Sequence, residues 1–156
     1  MEQTAWFSIA RPLVILHAAL SIVLIGASTH HLVVAYGYVR GRYSPRLGRI
    51  YATIVGATYV LTMLVGTLAY PTYRYHVRAL FLDRYAPWAS NLFDIKENFA
   101  TVGLPLAVAT WWLSRFFGTE EDRHMRVGYA VMVALVTAIV WFNVLAGLLV
   151  TMVRGV

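Results

Sequence analysis

His17 and His31 are the residues of this chain best suited to chemistry, because an imidazole can ligate a metal, carry a proton or hydrogen-bond across an apolar interface. They stand fourteen positions apart, a spacing that returns to nearly the same helix face and separates the side chains by ~21 Å along the axis. Ser21, Ser28 and Tyr38 fall on the same stripe of a segment otherwise made of Leu, Ile, Val and Ala. A second polar set lies further along, where Ser90, Asn91, Asp94, Glu97, Asn98 and Thr101 share one side of a helix to within about 60°. Arg74, Arg78, His76, His124 and Asn143 complete the candidates.

The elements that carry these residues follow from composition. Of the 156 residues, 60% are hydrophobic and 13% charged, and the mean hydropathy is +0.64. That balance belongs to an integral membrane protein, and at about 20 apolar residues per crossing the chain has room for four spanning helices and no soluble domain. The expected fold is an all-α four-transmembrane-helix bundle, a single membrane domain over 1–156, with helices at about 12–39, 47–70, 87–117 and 127–153. Pro12 is expected in the first turn of its helix and Pro71 at the end of the second, while Pro105 should kink the third. The opening residues lack the charge pattern and cleavage site of a signal peptide, and are read as a retained end. Polar groups in a bilayer are costly unless they meet a partner, so the histidine stripe is expected to face other helices.

Orientation follows from arginine. Arg40, Arg42, Arg46 and Arg49 crowd the first connection and Arg115, Arg123 and Arg126 flank the third, against Arg11, Arg74, Arg78, Arg84 and Arg154 on the other side. The denser side is expected in the cytoplasm, which places both termini outside, in a bacterial inner membrane. Residues 71–98 mix Tyr73, Tyr75, Phe81, Tyr85, Trp88 and Phe93 with Arg74, Arg78 and Arg84. Such a segment suits the headgroup level and should form an aromatic extramembrane cap between the second and third helices.

Two readings apply to each polar set. Asp94 and Glu97 could form a carboxylate site for a proton or cation with Asn98, completed by His17 and Asn143. The simpler reading is an amphipathic interfacial turn, with Lys96 snorkelling and the acids capping or pairing with Arg74, Arg78 or Arg84. The histidines, including the adjacent His30, could be helix-packing hydrogen bonders, or they could ligate haem iron inside a four-helix bundle.

In the His17/His31 spacing the chain resembles the membrane b-type cytochromes, in which one helix carries two ligand histidines with thirteen residues between them. That family takes the opposing pair from a second helix. Here only His76 and His124 remain, which would give an outer His17/His76 site and an inner His31/His124 site. The resemblance implies haem b, with Arg74 and Arg78 at the propionates of an outer haem, and electron transfer between a membrane quinone and a partner subunit. No bond-making chemistry of the chain's own is implied.

Other classes lack the residues they need. With no cysteine, disulfides, iron–sulfur clusters and cysteine nucleophiles are excluded. Neither a glycine-rich phosphate loop, an H-E-x-x-H pair nor a G-x-S-x-G elbow occurs, and nothing supports nucleic-acid binding or an inverted-repeat carrier. Two functions are therefore expected as alternatives. One is a small haem-b electron-transfer protein or subunit. The other is a non-catalytic accessory subunit with a structural polar stripe, surrounded by lipid and by other membrane subunits or further copies of itself.

Overall fold

The computed structural model describes residues 2–116 and 123–154, and the described chain is helical almost throughout. Helix α1 runs over Glu2–Val39 and α2 over Pro45–Thr72. A π-helical segment, Tyr73–Leu82, leads to the short α3, Asp83–Tyr85, followed by α4, Pro87–Phe116, and α5, Arg123–Val153. Position 117, the expected end of the third span, lies outside the described residues.

Three boundaries show how local chemistry sets the layout. At the end of α1, Gly41 adopts φ +75. The Arg42 N–H bonds the Gly37 carbonyl at 2.8 Å and the Gly41 N–H that of Tyr38 at 3.2 Å. This is the left-handed glycine cap that satisfies the last carbonyls of a helix. Pro45 then opens α2 at a position where a missing N–H costs nothing. At the far end, Ala86 is forced out of the helical region (φ −147, ψ 61) because it precedes Pro87, and the chain turns there into α4.

Two expected boundaries are corrected. Pro12 is not in a first turn but ten residues inside α1, which starts at Glu2. Pro71 does not stop α2 either. Without its N–H the proline leaves one carbonyl unmatched, and the helix continues through Thr72 into wider π turns, a usual response to an interrupted hydrogen-bond ladder. The aromatic cap is thus a helical extension of α2 that folds back at Ala86.

The four long helices close into a ring: α1 packs on α2 and α5, and α4 packs on the same two, with no close backbone contact across either diagonal among the described residues. The centre is filled from all four, by Leu24, Val55, Tyr59, Ala107, Val136 and Val140. Towards the arginine-rich end lie Ala35, Tyr38, Tyr129 and Val133. At the cap end Val77 and Leu82 pack on Ala86, Ala89 and Val150, so the cap is seated on α4 and α5. The outward surface is strongly apolar, with Ile22, Val33, Leu68 and Met152 all exposed. Three helical stretches, Ala10–Val39, Pro45–Tyr85 and Arg123–Val153, are long and apolar enough to cross a membrane. Helix α4 has the length, at 30 residues, but is diluted by Asp94, Lys96, Glu97, Pro105 and Arg115.

Candidate functional site

The α1 stripe faces other helices. His31 is only 2% exposed, and its Nε2 meets the Tyr129 hydroxyl of α5 at 2.9 Å. Three residues earlier, the Thr137 hydroxyl of α5 donates to the Ser28 carbonyl at 3.1 Å. Next to it Trp141 Nε1 donates to Thr29 Oγ1 at 3.1 Å. On the α2 side, His17 Nδ1 lies 3.0 Å from the Thr62 carbonyl. A carbonyl only accepts, so Nδ1 carries the proton and Nε2 the lone pair. Ser21 turns back to the His17 carbonyl at 2.8 Å, and the Tyr38 hydroxyl donates to the Ser44 carbonyl at 2.9 Å. His30 points outward: it is exposed, its Nδ1 donates to the Gly26 carbonyl at 2.8 Å, and its ring stacks on Tyr51 of α2 at 5.7 Å.

Of the four candidate haem ligands, His17 and His31 are each engaged with another helix, while His76 and His124 stand on the π segment and on α5. His31 is engaged by Tyr129, whereas His124 is exposed in the first turn of α5, five positions before that tyrosine. His17 is packed against α2 so closely that a Cβ at Gly66 would lie 3.0 Å from its Cε1. His76 sits on the π segment with its ring edge against Tyr75 at 4.8 Å, and that segment makes no close backbone contact with α1. Two open hollows of about 300 and 320 Å³ lie at the arginine-rich end, and neither is lined by a histidine. Among the described residues no group of three or more His, Cys, Asp or Glu suits a metal ion.

At the cap end the polar face of α4 is divided among several tasks. Arg78 binds Asp94 through both guanidinium nitrogens, at 2.6 and 2.8 Å, and its Nε lies 3.6 Å from Asp83. Asp83 in turn accepts from Ser90. This fork-to-fork pair, the stronger geometry for an arginine and a carboxylate, ties the π segment to α4. Arg74 and Asn98 are exposed and Glu97 is half-buried. Asn143 donates to the Ile139 carbonyl at 2.8 Å, while its Oδ1 is buried without a partner among the described residues. Lys96 lies on the bundle side, not the lipid side: its Cε faces Gly147 of α5, and its ammonium sits 5.0 Å from the centre of the Phe93 ring.

Sequence reasoning missed Tyr129 and Tyr59, the hydroxyls that join helices. Tyr59 donates to the Ala100 carbonyl at 3.0 Å and so links α2 to α4. It also missed the placement of Lys96. The signal was present, since Ala89, Lys96, Gly103 and Thr110 recur every seven residues and the other three are buried.

The Arg78–Asp94 pair yields a direct expectation. Asp94→Asn removes the charge and one arm of the fork at a partly exposed site worth on the order of 1 kcal/mol, so amides of residues 77–82 should exchange about fivefold faster. Hydrogen exchange in detergent checks this, and unchanged protection would mean that apolar packing alone holds the cap.

Comparison with protein-family models finds no match, and no curated protein and no solved structure is found to be similar to this chain.

Proposed function

We propose that this chain is a non-catalytic four-helix integral membrane subunit, in which α4 is the fourth crossing and the polar stripe fastens the bundle. The arginine-rich end is cytoplasmic in this reading. Support comes from where the polar groups of α1 go: the His31 side chain, the Ser28 carbonyl and the Thr29 hydroxyl meet α5, and His17 meets α2. Interhelical hydrogen bonds of this kind are a standard source of cohesion where lipid removes the hydrophobic drive between helices.

The observation that carries the subunit reading is His30. Its Nδ1 proton is used within α1, which leaves the Nε2 lone pair exposed on the outer surface of a helix long and apolar enough to cross a membrane. A bare acceptor there is costly against hydrocarbon, and a neighbouring membrane helix bearing a hydroxyl or N–H donor would satisfy it. That neighbour belongs to another subunit or to a second copy of the chain.

The protein purified from its membranes in mild detergent is expected to be colourless, with no reducible Soret band, and to run above the mass of a monomer. His30→Leu should shift it towards the monomer. A reducible Soret band on a monomer would instead favour a haem-b electron-transfer protein linked to quinone. In that case His17 is the ligand to test, since its Nδ1 is anchored and its Nε2 is free to bind iron.

A further inference from the structure

At the arginine-rich end a groove of about 320 Å³ opens between α2 and α4, lined by Arg49, Ile50, Thr53, Ile54 and Arg115. Both guanidinium groups are exposed, and neither has an acidic partner among the described residues. Arg115 is steadied over the Trp111 ring, 5.0 Å from its centre. The Thr53 hydroxyl is turned back to the Arg49 carbonyl at 2.7 Å and is not offered to the groove. Three acids of this end, Glu120, Glu121 and Asp122, lie outside the described residues. Counting all three against Arg40, Arg42, Arg46, Arg49, Arg115, Arg123 and Arg126 still leaves a net charge of +4 (7 − 3).

The groove has the polarity of an amphiphile. Arg49 is near the start of α2 and Arg115 is next to the last residue of α4, so the two cations mark the end of the bundle. Ile50 and Ile54, 44% and 36% exposed, share one side of α2 a turn apart, beside the face of Arg49 and Thr53, and carry the groove from Arg49 towards the middle of the helix. A ligand that fits has an anionic head for the two guanidinium groups and an apolar chain long enough to follow the isoleucines.

We infer that this groove binds an anionic phospholipid, with the phosphodiester held between Arg49 and Arg115 and one acyl chain lying along Ile50 and Ile54. Guanidinium suits this task better than ammonium, because its planar fork matches two phosphate oxygens at once. A lipid whose headgroup carries its own ammonium would repel the pair, so the site selects phosphatidylglycerol over phosphatidylcholine.

Native mass spectrometry of the full chain tests this, after incubation in detergent with equal amounts of phosphatidylglycerol and phosphatidylcholine. The expected result is preferential retention of phosphatidylglycerol, and about a thirtyfold loss of it in Arg49→Gln/Arg115→Gln, given about 1 kcal/mol for each arginine at an anionic surface. Arg40→Gln/Arg42→Gln, equal in charge removed, should keep it. Excess inorganic phosphate should leave retention unchanged, since a bare anion lacks the chain. Should the double variant lose its helical signal, Arg49→Lys/Arg115→Lys keeps the charge, and its retention should fall severalfold because the fork is lost. Equal retention of the two lipids, equal losses in the two glutamine pairs, full retention by the lysine pair, or displacement by inorganic phosphate would each overturn the assignment.

Discussion

Gly103→Ala is expected to destabilise the protein by ~2–4 kcal/mol, combining overpacking of a tight core with loss of an interhelical hydrogen bond. Gly103 of α4 is where the Tyr59 ring of α2 crosses. An added methyl would lie 2.8 Å from the Tyr59 ring and 2.9 Å from Ile139 of α5, closer than carbon atoms approach one another. Tyr59 is 4% exposed and cannot swing into open space. It must withdraw, and its hydroxyl then leaves the Ala100 carbonyl that it reaches at 3.0 Å. Thermal unfolding in detergent should show the loss. In a Tyr59→Phe background the same substitution should cost clearly less, because the atom closest to the new methyl and the hydrogen bond are already gone. Strict additivity would mean that the two residues do not meet.

The second large effect is expected at His31. His31→Ala should cost ~2–4 kcal/mol, since it opens a cavity at a fully buried position and removes the interhelical hydrogen bond to the Tyr129 hydroxyl. Tyr129→Phe alone should be milder, because the phenyl ring still fills its place beside Ala35 and Tyr38. The double variant His31→Leu/Tyr129→Phe, which replaces both polar partners with apolar groups of similar size, should recover much of the loss. Stability measurements over this cycle separate packing from ligation. If His31 served as a ligand instead, the double variant would recover nothing of the property that the ligand supports.

Much of the architecture was legible in the chain because it depends on local quantities. The length of each apolar run and the arginines between them are properties of single segments, and they sufficed for an all-helical fold with helices near the expected places. The inward turn of the His17/His31 stripe was legible for the same reason, since a helix presents its polar face where partners are available. Prolines were misread at both ends. Their local effect is a missing N–H, and whether a helix ends or merely widens depends on what it packs against. At Pro71 the continuing π segment is seated through Val77 and Leu82 on α4 and α5, contacts that no local rule contains.

What the sequence by itself determined is therefore the kind of solvent the chain suits, the number of long helices and the polar faces of the first and third of them. Tertiary structure alone decided the partners. His31 and Tyr129 are 98 positions apart, and they meet because the ring closes α1 onto α5; Arg78 meets Asp94 because Ala86, held out of the helix by Pro87, folds the cap back onto α4. The physical reason is that periodicity sets the direction in which a side chain points, whereas the order in which helices close around a common core sets what stands there.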